Sequence, residues 1–188
     1  MSLTVDDRNR VFIIRFSRPE IRNPLTTAVV KQLLELIKEI RRRPEIQKLI
    51  FTGTEDVFAS GADLREISDL DALSAREFAH RGQTLMNEIA ALPIPTVAAI
   101  NGYCFGGGLD FALACKQRIA SPNAIFSHPG VGLGIITGWG GTQRLPRLIG
   151  EAKALEMLLT AGRFDSEWAL RSGLVTKVTS TPLTEALG

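Results

Sequence analysis

Residues 103–115, YCFGGGLDFALAC, set three consecutive glycines and one aspartate into an otherwise apolar run. A buried helix normally fills its first turn with packing side chains, and glycine there costs about 1 kcal/mol relative to alanine. The glycines therefore mark a place where backbone must approach something closely. A helix that starts directly after them leaves its first N–H groups without intrahelical acceptors, so its N-terminus attracts negative charge. Phosphate is one candidate, but FGGGLD lacks the Gly-Lys-Ser/Thr ending of a P-loop, and no strand is followed by G-x-G-x-x-G. The other is an oxyanion formed transiently from a carbonyl, which needs a second donor from another loop. Tight helix–sheet packing is the competing explanation for the same glycines.

A source for that second donor lies upstream in FASGADL, residues 58–64, where small residues follow the β-rich run KLIFTG and lead into a helix. Two such loops, each between a strand and a helix, can aim two backbone N–H groups at one point. Around them the chain alternates. VFIIRF (11–16) and KLIFTG (48–53) read as strands separated by a helix in which Val29, Leu33, Leu36, Ile37 and Ile40 recur at helical spacing, with Thr26 or Thr27 as cap. A longer helical pattern through LREISDLDALSAREFAHRGQTLMNEIAAL breaks near Asp69–Leu73 and stops at Pro93 and Pro95. TVAAI, RIAS and AIFSHP follow as strands, then helices around 151–161 and 166–172, a strand near LVTKV, and a capped helix in TSTPLTEALG. Strands alternating with helices imply an α/β fold with right-handed crossovers.

The 188 residues suit one domain, long enough to bury roughly 70% of the surface that the unfolded chain exposes. The 22 basic and 20 acidic residues leave a net charge of +2, too balanced for a nucleic-acid surface. No apolar run reaches the ~20 residues of a membrane span, and MSLTVDDRNR has no signal-peptide pattern, so a cytoplasmic protein is expected. Cys104 and Cys115 read as reduced core thiols rather than a disulfide framework, although His128 leaves a Cys–His arrangement formally open. His80 and His128 form no metal-binding pattern, and no metal is expected.

Four segments, RPEIRNPL, FASGADLREI, PTVAAINGYCFGGGLDFALAC and GWGGTQRLPRLIG, occur in an order and spacing that resembles the enoyl-CoA hydratase/isomerase, or crotonase, family. The resemblance covers nearly the whole chain. It implies an α/β spiral of ββα units in one core domain, residues 1–188, lacking most of the family's C-terminal helical region. It also implies a homotrimer or hexamer and an acyl-CoA thioester as substrate, with coenzyme A present only as part of that substrate and no prosthetic group. At matching positions the oxyanion-hole donors are the N–H groups of Ala62 and Gly107. The CoA end falls near Arg22, Pro24, Leu25, Ser60, Ala62 and Leu64, with Arg22 equally readable as a solvated arginine after a turn.

The sequence departs from the family at two catalytic positions. Hydratases of the family usually carry two glutamates that activate the added water. The first position is Asp110 here, one methylene shorter, and the second, after the proline in FSHPG, is Gly130. Asp110 reads as a lone acid or base, or as a structural first-turn aspartate favoured by the helix dipole. His128 lies two residues before the missing carboxylate and is either an accessory proton carrier or a satisfied structural histidine. Trp139 replaces a small residue near the acyl group, to narrow the pocket or simply to pack, while Glu66 and Asp69 read as exposed helix charges.

Three functions follow. The first is an acyl-CoA enzyme of the hydratase/isomerase type, with isomerisation, decarboxylation or thioester hydrolysis as other outcomes of the same enolate. The second is a CoA-ester binding protein that has lost catalysis. The third, a serine hydrolase using Ser60 or Ser127 with His128, has no G-x-S-x-G elbow to support it.

Overall fold

A computed structural model describes residues 1–188. The chain enters through a hairpin of β1 (Leu3–Arg8) and β2 (Val11–Phe16), with Leu3 opposite Phe16 and Arg8 opposite Val11. Asn9 and Arg10 take φ of 47° and 75° in its two-residue turn, a twist that suits tight hairpins. The sequence expectation starts only at β2, because Asn-Arg lacks the glycine that usually announces such a turn.

From β2 the chain repeats one step: a strand in a large sheet, a short strand in a smaller one, then a helix. The first turn is β2, β3 (Pro24–Leu25) and α1 (Thr27–Arg41). The second is β4 (Lys48–Thr52), β5 (Val57–Ala59) and β6 (Gly61–Ala62), then α2 (Leu64–Ser68) and α3 (Ala72–Ala90). The third is β7 (Thr96–Ile100), β8 (Tyr103–Phe105) and α4 (Gly107–Ala114). The fourth is β9 (Gln117–Ala120), β10 (Ile125–Ser127), α5 (Gly141–Ile149) and α6 (Glu151–Thr160). A closing stretch adds β11 (Phe164–Asp165), α7 (Ser166–Ser172), β12 (Lys177–Val178) and α8 (Pro182–Leu187).

The large sheet runs β1-β2-β4-β7-β9-β12, parallel except at the first pair. A second sheet runs β11-β10-β8-β5, and β3 pairs with β6 alone. The expected α/β spiral of ββα units is thus observed. Its short second strands, β3, β5, β6 and β8, are the part that strand–helix alternation does not predict. Two or three residues cannot display a period of two, and their conformation is set by the neighbours they pair with.

The predicted helix breaks and caps are present. Thr26 accepts the Val29 N–H to cap α1, and Asp71 and Ser74 form a reciprocal capping box that starts α3 after the break at Asp69. Val29, Leu33, Ile37 and Ile40 are buried against the sheet, with Leu36 at the edge of the stripe.

Helix α4 lies at the centre of the core. Phe111 stands edge-on to Phe16 and Phe51 with ring centroids 5.4 and 4.7 Å apart, a geometry worth about 0.5–1.5 kcal/mol per pair beyond area burial. At the other end the buried Arg118 guanidinium donates to the carbonyls of Cys115 at 2.6 Å and Leu174 at 2.7 Å, so a cation neutralises the negative end of α4. The helix is thereby clamped at its middle and its C-terminus. Its N-terminus is held in place for whatever sits there. On the opposite face of the large sheet Ile13, Ile50, Val97 and Ile119 are covered by Leu183, Ala186 and Leu187 of α8.

Candidate active site

A cavity of about 280 Å³ opens over the N-terminus of α4. One wall is Gly61 and Ala62 of β6 with Gly106 and Gly107; the other is the segment from His128 to Trp139. Leu64, Ile67, Leu70 and Phe78 make its remaining lining mostly apolar.

The two glycine-rich loops meet here. A Cβ on Gly107 would stand 3.3 Å from the Ala62 nitrogen, and one on Gly61 would stand 2.8 Å from the Gly107 nitrogen. Only glycine allows that approach, and Gly61 also needs its φ of +99°. Gly107 is the first residue of α4, so its N–H has no acceptor in a preceding helical turn. The backbone amides of Ala62 and Gly107 therefore sit side by side at the cavity wall.

Asp110 is fully buried one turn into α4 and lines the cavity. Its Oδ2 accepts the Thr137 hydroxyl hydrogen bond, whereas Oδ1 has no hydrogen-bond partner and lies 3.6 Å from Nε2 of His128. Burial pushes the Asp110 carboxyl up from 3.8 to about 7, and the Thr137 hydroxyl, the Trp139 and Gly141 N–H dipoles and the Arg144 charge recover only part of that cost. His128 is also buried, and desolvation pushes it down from 6.5 to about 4. Both of its ring nitrogens lack partners. Neither nitrogen is thus held by a protein group.

Room for this pair is made by Gly141, where a Cβ would fall 2.1 Å from Asp110 Oδ1 and 3.1 Å from His128 Cε1. At Gly130 a Cβ would meet the Ile135 carbonyl oxygen at 2.7 Å, so the loop is shaped to a residue without a side chain. The indole of Trp139 fills the space above Gly82 and Gly107, where a Cβ would come within 2.2 and 2.7 Å of it, and it packs on Phe78 at 5.3 Å. Trp139 thus both packs and narrows the cavity, and the two readings of it merge.

Other residues singled out in the sequence fall in different places. Ser60 and Leu64 line the cavity mouth, with Leu64 exposed. Arg22, Pro24 and Leu25 do not line it. They lie beside it, since β3 pairs Pro24 with Gly61 and Leu25 with Ala62. Leu25 is buried, and the Arg22 guanidinium sits 5.8 Å from the Tyr103 ring centroid. Glu66 accepts the Thr27 N–H at 2.8 Å and ties α2 to α1. Ser127 donates to the Ala161 carbonyl at 3.4 Å and does not line the cavity, so it is not placed as a nucleophile for His128. Cys104 and Cys115 are buried, their thiols pushed up by desolvation and away from the reactive thiolate. Thr137, Gly141 and Arg144 join the site without individual signals; nothing in GLGIITG marks the threonine as the one facing a carboxylate.

A stepwise spiral of two strands and a helix, with its cavity where a glycine-opened helix meets a small-residue loop, defines the α/β crotonase fold. Comparison with known proteins narrows the class. The enoyl-CoA hydratase/isomerase family model matches residues 6–185. A crotonyl-CoA hydratase from Syntrophomonas wolfei is 38% identical over 178 residues, covering 94% of this chain and 68% of that protein. The solved structure of Pseudomonas aeruginosa DspI gives a TM-score of 0.95 at 37% identity, covering 99% of this chain and 77% of that one. An enoyl-CoA hydratase structure from Bacillus anthracis gives 0.94 at 34% identity over 100% of this chain and 74% of that one. The chain belongs to the enoyl-CoA hydratase/isomerase family, a family of enzymes that process acyl-CoA thioesters without a prosthetic group. No helix is long and apolar enough to cross a membrane.

Proposed function

We propose that the chain binds an acyl-CoA thioester, holds the enolate oxygen between the Ala62 and Gly107 N–H groups, and moves a proton at the neighbouring carbons with Asp110. The observation that carries this reading is the meeting of two adjacent backbone amides and one buried carboxyl group in a single apolar cavity. A thioester carbonyl gains negative charge on oxygen as its α-proton leaves, so fixed amide dipoles favour the transition state over the substrate. The low polarity of the cavity strengthens that effect. Thr137 holds Oδ2 of Asp110, which leaves Oδ1 as the oxygen free to take and return the proton.

The side-by-side strands β3 and β6 support placing the CoA portion along Arg22, Pro24, Leu25, Ser60 and Leu64, with the acyl chain running under Trp139. Assembly as a homotrimer or hexamer rests on the family resemblance. Turnover is tested by offering a panel of acyl-CoA esters and following hydration, double-bond shift, decarboxylation and thioester hydrolysis. The proposal requires at least one of these, lost in Asp110→Asn. Turnover unchanged by that substitution overturns the role of Asp110.

A specific observation favours a second reading, that of a CoA-ester binding protein without catalysis: the loop at Gly130 leaves no space for the second glutamate. Calorimetric titration with acetoacetyl-CoA separates the two, because tight binding with no turnover on the panel supports it and rapid turnover excludes it.

A further inference from the structure

Four buried polar side-chain atoms lack a hydrogen-bond partner, and three of them belong to one cluster: Oδ1 of Asp110 and both ring nitrogens of His128. None of these three atoms has a hydrogen-bond partner within the protein, and both residues line the cavity. They face each other at 3.6 Å across a gap that Gly141 keeps open, at the floor of the cavity.

We infer that His128 is the hydrogen-bond partner of Asp110, and that the two operate as a dyad carrying one exchangeable proton in place of two separate carboxylates. This inference rests on the acyl-CoA reading for its chemistry but not for its structure. In the resting dyad Asp110 is a carboxylate and His128 neutral. When the α C–H bond breaks, its electron pair becomes the C=C bond of the enolate, the carbonyl π pair moves to the thioester oxygen, and an O–H bond forms at Asp110 Oδ1. That O–H then points at Nε2 of His128, which accepts it as a hydrogen bond while the proton stays on Asp110, the more basic of the two. Return reverses the transfer to carbon, so one proton enters and one leaves. For Nε2 to accept, the neutral ring carries its proton on Nδ1. His128 is a positioning residue here, acting on substrate through Asp110.

The surroundings leave few other groups to set this balance. From α5, Arg144 attracts the Asp110 charge while bonding Asn87 of α3; from β8, the buried Cys104 thiol is near enough to interact with Asp110. Helix α6, packed against the turn at Pro129–Leu133, carries Glu151, Lys153 and Glu156, all exposed. No second carboxylate lines the cavity with Asp110.

Two measurements test the dyad. Long-range nitrogen–proton NMR of the imidazoles follows His128 through pH 5 to 9 in the wild type and in Asp110→Asn, with His80→Asn to assign the signals. The dyad predicts a His128 shift as Asp110 ionises near neutral pH, absent from the Asp110→Asn protein. Identical His128 titrations in the two proteins overturn the dyad, whether or not any acyl-CoA ester is turned over. In kinetics, His128→Gln is expected to lower kcat about 10- to 100-fold with KM little changed and to displace the pH profile of kcat. Should His128→Gln fold poorly, His128→Asn, judged by its melting temperature, takes its place. Wild-type kcat with an unaltered profile in a folded variant also refutes the dyad. A wild type that shows the NMR coupling yet turns over nothing on the panel retains the dyad and removes the catalytic reading beneath it.

Discussion

The two walls of the cavity are built by different means. On one side, β6 and the start of α4 present backbone amides, fixed by strand pairing, by the Phe16–Phe51–Phe111 cluster and by Arg118 at the far end of the helix. On the other, the segment from His128 to Trp139 presents side chains from a loop, with Val131, Leu133 and Ile136 exposed beside the cavity. The first wall is made of groups every residue possesses, and changing it requires moving the backbone. The second is made of groups that single substitutions alter. That contrast separates the backbone amides of Ala62 and Gly107 from two side chains that single substitutions alter, Asp110 in the first turn of α4 and His128 at the start of the loop.

Substitutions in the two walls should therefore fail differently. The largest effect is expected for Asp110→Asn, with turnover down by roughly 10²–10⁴-fold. The same substitution should stabilise the fold at high pH. Because the folded-state pKa of Asp110 is raised from 3.8 to about 7, its ionised form weakens the fold increasingly as pH climbs through that window. Above it, the gain from Asn approaches on the order of 4 kcal/mol as an upper bound, and it vanishes below pH 4. His128 has the opposite sign: its contribution is complete above 6.5 and is lost as pH falls through about 4. Thermal melts of the Asp110→Asn protein and the wild type across pH 3–9 check both.

Gly107→Ala attacks the backbone wall instead, since the added methyl meets the Trp139 ring at 2.7 Å and crowds the Ala62 nitrogen. Turnover should fall about 10²–10³-fold, as for loss of one oxyanion donor, with Asp110 still titrating normally by NMR. Trp139→Ala removes the cover from both glycines. Its expected cost is about 3–5 kcal/mol in denaturant unfolding, with a shift of acyl preference toward bulkier chains. Smallest is Glu66→Gln, which weakens a charge-assisted bond to the Thr27 N–H by about 1 kcal/mol and should leave kcat unchanged.

The same two walls differ in how far the sequence exposes them. GGG ahead of an apolar helix and the small residues of FASGADL mark close backbone approach, and both segments line the cavity, while Gly108 also serves packing, since a Cβ there would lie 2.3 Å from the Ala59 carbonyl oxygen. Helix α1 with its Thr26 cap and the break before α3 were legible for similar reasons of period and capping. The Asp110–His128 pair was only half legible. Asp110 stood out as a charge in an apolar run, and His128 by its place near the absent glutamate. Its contact with Asp110 depends on α5 delivering Gly141 rather than any larger residue, a tertiary fact with no local pattern. Thr137 was invisible, and so were β3, β5 and β8, whose few residues become strands only through their neighbours.

In a structure with acetoacetyl-CoA bound, the thioester oxygen is expected within about 3.2 Å of both the Ala62 and the Gly107 nitrogens, with Asp110 Oδ1 facing the α-carbon. A thioester oxygen bonded to neither amide, or lodged on the far side of Trp139, would contradict the proposed function.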